Sequence, residues 1–131
     1  MTYQKLEPMT VGDLFPFHYF RFWETYTDLN GDLREKASDL GSDYSSIKIC
    51  IRKKDNRDDP NDHTKDDIYA DMNVDIANIA HYVWQAGDTD NAGTYVLRFH
   101  LTRTTGESYH PPMTYEFDIV NKMPSKLRAI S

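Results

Sequence analysis

The sequence predicts an all-β, antiparallel sandwich of about six to eight strands with little helix, on three observations. Apolar and polar residues alternate in several runs of strand length, the two-residue period of a half-buried strand. Nine Tyr, six Phe and two Trp supply side chains that suit a pleated surface. The runs are separated by turn residues, with no βαβ rhythm between them.

Residues 17–26, FHYFRFWETY, read as one aromatic strand. Phe17, Tyr19, Arg21 and Trp23 fall on one face, and His18, Phe20, Phe22 and Tyr26 on the other. Asp28, Asn30, Gly31 and Asp32 then form a turn, because Asn-Gly tolerates positive φ. Leu33 and Leu40 are expected to anchor a short strand or helical turn within the polar stretch 33–45. Residues 46–53 alternate cleanly, with Ile47, Ile49 and Ile51 inward and Lys48, Cys50 and Arg52 opposite. A polar loop with six Asp follows at 55–67.

Residues 68–75 alternate again, with Ile68, Ala70, Met72 and Val74 on one face. Residues 79–85 fit both a strand and a helix; Tyr82, Val83 and Trp84 favour the strand, with Trp84 in the core. Residues 94–102 put Tyr95, Leu97, Phe99 and Leu101 on one face, and a turn at Gly106 leads to the closing strand 113–120. That turn makes the last two strands an antiparallel pair. One domain accounts for all 131 residues, compact over about 11–120 with terminal arms at 1–10 and 121–131.

Charge and composition exclude several classes of function. A net charge of −6 argues against nucleic acid as a partner. Cys50 is the single cysteine, so the fold does not rest on an internal disulfide, and a buried, inert thiol is expected. No signal peptide and no apolar run of about 18 residues is visible, so membrane insertion is not expected and synthesis is placed in a cytoplasm. His18, His63, His81, His100 and His110 show no HxH or HExxH spacing, and the Asp-rich loop lacks an EF-hand order of ligands. No metal or cofactor is therefore expected. No nucleophile motif or P-loop is present, so the chain is not expected to be an enzyme.

The segment 87–120 carries the most information. Asn91, Gly93 and Tyr95 mark a tight corner entering a strand. In immunoglobulin-like sandwiches a tyrosine at this place hydrogen-bonds back across the corner. Leu97 stands where a disulfide cysteine would follow two residues later. The stretch 82–120, with its YVWQ strand, DTD corner, GTY entry, RFHL strand and closing YEFDIV, resembles the immunoglobulin-like N-terminal domain of siphophage baseplate upper proteins. The aromatic strand, the DLNG turn and SIKICIRK carry the resemblance upstream to residue 11. The long Asp-rich loop at 55–67, the very aromatic character of the strand at 17–26 and the absence of a long C-terminal extension depart from that pattern.

The resemblance implies an immunoglobulin-like sandwich in the tail or baseplate of a bacteriophage virion. It would be a structural protein made in the host cytoplasm that docks on other tail proteins, forms homo-oligomers and serves host adsorption. Because bulky groups lie on both faces of 17–26, one row is expected to form an interface: His18, Phe20 and Phe22, or Tyr19 and Trp23. A carbohydrate-binding module for host-surface glycans is the alternative, using exposed aromatics such as Tyr3, Tyr19, Trp23, Tyr69 and Tyr109.

Overall fold

The structure, a computed structural model, describes residues 4–54, 61–76 and 78–121. Its strands in chain order are β1 (Gln4–Lys5), β2 (Met9–Thr10), β3 (Tyr19–Phe20), β4 (Trp23–Thr27), β5 (Leu33–Ala37) and β6 (Tyr44–Lys53). There follow β7 (Ile68–Asp71), β8 (Asn73–Asp75), β9 (Ile79–His81), β10 (Gly93–Arg103), β11 (Ser108–Tyr109) and β12 (Tyr115–Val120). Among the described residues the helical structure is one 3₁₀ turn at His63–Lys65, and no helix is long and apolar enough to cross a membrane.

The large sheet runs β1-β12-β10-β6-β7, and the small one runs β3-β9-β8. This is the order of an immunoglobulin-like sandwich, in which a G-F-C-C′ sheet faces a B-E-D sheet. The alternation of apolar residues over 47–51 of β6 and 95–101 of β10 explains the packing. Ile47, Ile49 and Ile51 on β6 and Tyr95, Leu97, Phe99 and Leu101 on β10 all point inward, joined by Phe117 and Ile119 of β12. From the other side come Phe20, Phe22, Met72, Ala80, Tyr82 and Trp84. Phe20 and Phe22 both meet the Phe99 ring, at 4.8 Å between centroids. Each such fully buried side chain stabilises the fold by about 1.5–3 kcal/mol relative to exposure. Leu97, where a disulfide cysteine would lie, is fully buried.

Several sequence expectations need correction. Residues 17–26 are two short strands, because the chain leaves the small sheet after Phe20 and re-forms as β4, which among the described residues pairs with β5 alone. Residues 68–75 also divide: β7 belongs to the large sheet and β8 to the small one, with Met72 buried at the crossing and Val74 exposed. These divisions, and the short strands β1, β2 and β11, raise the strand number among the described residues to twelve. Leu40 is buried as expected, but Leu33 is exposed on β5. Residues 4–10 are no arm: β1 and β2 pair in parallel with β12, and Met9 is fully buried. The strand at 79–85 ends at His81, although Tyr82 and Trp84 stay in the core. At the Asp28 turn only Gly31 has positive φ; the Asp28 carboxylate accepts from the Asn30 and Asp32 amides and pairs with Arg34. The second arm, beyond residue 121, and residues 55–60 of the Asp-rich loop lie outside the described residues.

Candidate functional site

The corner is built as its residues suggest. The Tyr95 hydroxyl donates to the Asn91 carbonyl at 2.8 Å. Gly93 between them has φ 155°, in a region that side chains disfavour. Burial raises the pKa of the Tyr95 hydroxyl, so it stays a donor. Asp88 ties the same corner by accepting from the Tyr82 hydroxyl at 2.6 Å and the Gln85 amide at 2.8 Å.

The two aromatic rows of 17–26 separate over residues 18–23, while Tyr26, on the inward row by parity, is exposed on the hairpin. Phe20 and Phe22 are 5% and 1% exposed, and His18 is half-buried, so this row belongs to the core and not to an interface. The reason is the contact of both Phe rings with Phe99, which the sandwich interior requires. Tyr19 and Trp23 point outward at 59% and 55% exposure. On the outer face of the small sheet Tyr19 pairs across the strands with His81. Ring contacts run from Phe15 to Phe17 (5.2 Å), from Phe17 to His81 (5.7 Å) and from His81 to Tyr19 (5.3 Å). The β4–β5 hairpin continues from there as a two-stranded ribbon with Trp23, Tyr26 and Leu33 exposed. Its base is fixed by Glu24, which accepts from the Tyr44 hydroxyl and pairs with Arg103 at 3.0 Å. Burial, then that hydrogen bond, push the Tyr44 hydroxyl up to about 12.

The opposite side of the molecule holds a group that spacing did not reveal. Outward positions of the large sheet include Tyr69, Cys50, Arg52 and His100, and residues 61–66 cross over them. Arg52 pairs with Asp66 at 2.7 Å, and both side chains are nearly sealed from solvent. The second Asp66 oxygen lies 2.8 Å from His63 Nδ1. The His63 ring stacks on Tyr69, His100 and His110. His63 Nε2 is 3.0 Å from His110 Nε2, although the two residues are 47 apart in sequence. The Tyr69 hydroxyl lies 2.7 Å from His100 Nδ1, and the Ser108 hydroxyl 3.2 Å from His100 Nε2. Burial, then the neighbouring imidazoles, hold His100 below the usual histidine range. Cys50 is buried close by, and burial first, then Asp66, push its thiol up to about 12, which suits an inert thiol.

Sequence reasoning missed this cluster, yet one signal was available. A hairpin centred on the Thr104–Gly106 turn places Leu101 opposite Tyr109, and the same register carried one step further sets His100 opposite His110. The arrival of His63 from a long loop has no such signal. No protein-family model, curated protein or solved structure matches the chain.

Proposed function

We propose that this protein is a non-enzymatic assembly protein that docks on neighbouring proteins through the outer face of its small sheet and the β4–β5 hairpin. The observation that carries the reading is the unbroken ring contact Phe15-Phe17-His81-Tyr19 on a solvent-facing surface, with Phe15 70% exposed. An aromatic patch of this kind, in which His81 is held by Asp75 at 2.6 Å, marks a contact site, because aromatic residues are enriched at interfaces. Among the described residues the ribbon beyond it has no third strand, and a two-stranded hairpin is marginal in water unless something covers it.

The resemblance of residues 82–120 to a baseplate domain supports a bacteriophage tail or baseplate as the setting. The partners are then other tail proteins and further copies of this chain, and the place of action is the virion. Glycan binding by the same aromatics is the competing outcome.

Sedimentation velocity at micromolar concentration, alone and with distal-tail proteins, tests the reading. Tyr19→Ser and Trp23→Ser are expected to stay folded and lose association, whereas Phe20→Ser disrupts the core. A protein that stays monomeric, ignores every tail component and binds a glycan array would replace assembly with sugar recognition.

A further inference from the structure

We propose that His63, His100 and His110 form a binding site for a divalent transition-metal ion of the zinc class, which pins residues 61–66 onto the outer face of the large sheet. Three separate segments bring these imidazoles together: the loop before β7, the middle of β10, and the residue after β11. One ligating nitrogen from each lies within 4.8 Å of the others. The 3.0 Å between His63 Nε2 and His110 Nε2 is close to the roughly 3.4 Å that two nitrogens keep on a tetrahedral ion with zinc–nitrogen bonds of about 2.05 Å.

The surroundings of the cluster are those of a ligand set. Asp66 at His63 Nδ1 holds the N–H there and leaves the Nε2 lone pair facing the cluster. Asp66 is itself fixed by Arg52, so the carboxylate is anchored on the sheet rather than on the loop alone. The Tyr69 hydroxyl lies against His100 Nδ1, and in the tautomer in which it accepts the Nδ1 proton, Nε2 is left for the ion. The Ser108 hydroxyl beside His100 Nε2, or a water, is available for a fourth position.

An all-imidazole set selects zinc, copper, nickel or cobalt, and lacks the oxygen ligands that calcium and magnesium require. A second possible set, Cys50, His63 and Asp66, is weaker. Both oxygens of its carboxylate are already engaged, one by Arg52 and the other by His63.

The rings stand nearly parallel, with His100 and His110 4.4 Å apart at 3°. In-plane lone pairs of stacked rings do not meet at one point, so binding requires a ring to turn. His63 and His100 are held through Nδ1. His63 and His100 are themselves stacked, 4.7 Å apart at 14°, so one of these two rings tilts about its Nδ1 hydrogen bond along with His110 when the three share an ion.

The test uses the full chain, stripped with a chelator and dialysed. Zinc chloride is titrated calorimetrically, cobalt(II) is followed by its visible absorption, and calcium chloride is the comparison. The expected result is saturable binding of one zinc per chain, a tetrahedral cobalt spectrum, a higher melting temperature with zinc, and no response to calcium. His63→Gln and His110→Gln should each weaken zinc binding about 100-fold or more, Asp66→Asn about 10-fold, and Cys50→Ser not at all. The cobalt spectrum of the unmutated protein needs no variant to fold. Absence of saturable zinc or cobalt binding to the folded protein, or affinity undiminished in both histidine variants, would overturn the proposal. Loss of binding in Cys50→Ser would also overturn it, by assigning the ion to the other set.

Discussion

The Tyr95 hydroxyl reaches back over four residues, so its role is readable in the sequence: the turn, the glycine and the tyrosine all lie within one short segment. Tyr95→Phe keeps the ring against Phe117 and removes only the hydrogen bond to Asn91. The variant is expected to lose about 0.5–1.5 kcal/mol in urea unfolding, and wild-type stability would show that the bond contributes nothing. His18 is the opposite case, since nothing in the alternation of 17–26 distinguishes it from an interface residue. Its Nε2 is buried with no hydrogen-bond partner among the described residues, and burial lowers its pKa below the usual 6.5. The unfolded chain therefore takes up the proton first as pH falls. The stability contributed by neutral His18 is complete above about pH 6.5 and is lost as pH drops through the folded value. His100 shifts in the same direction and adds to the slope. With chelator present, the urea midpoint should fall between about pH 7 and about pH 5, and His18→Leu should flatten part of that fall. An equal slope in the variant would remove His18 from this account.

At the scale of elements, β6 and β10 were legible because apolar residues alternate in sequence over 47–51 and 95–101. The segment 17–26 was not, because alternation says which residues share a face but not where the chain leaves a sheet. Phe20 and Phe22 keep their parity across that break, which is why the inward row survives although the single strand does not. Phe22→Ser should destabilise the protein by about 3–5 kcal/mol, as for other large core truncations, while Trp23→Ser stays within about 0.5 kcal/mol of wild type. Equal effects in thermal denaturation would show that Trp23 is also packed. The outward side of β6 carries a second element-level test. Arg52→Met leaves the buried Asp66 carboxylate without its cation, held by the His63 N–H, and should cost about 3 kcal/mol, part of it recovered in the double variant with Asp66→Leu. No recovery would mean that Arg52 acts through contacts other than this pair. Sequence alternation marked Arg52 as outward, but the loop that covers it was invisible, because nothing local records where residues 61–66 cross.

At the scale of the molecule, the inside and outside of the sandwich divide the work. The interior is settled by inward rows from two sheets and by the Tyr95 corner, and its general form could be read from periods and turns. The outside was legible only as a pair of alternatives, because exposure depends on which sheet lies opposite. The structure leaves two features there, the aromatic face with its hairpin and the histidine cluster, on opposite sheets. The account assigns docking to the first. Amide hydrogen exchange of the protein, dilute and then associated with itself or a tail partner, tests this most directly. The account predicts that residues 15–27 and 33–37 exchange readily in the dilute protein and become protected on association, with β6, β7 and β12 unchanged. Protection that arises on the large sheet, with the hairpin and Tyr19 unaffected, would contradict it.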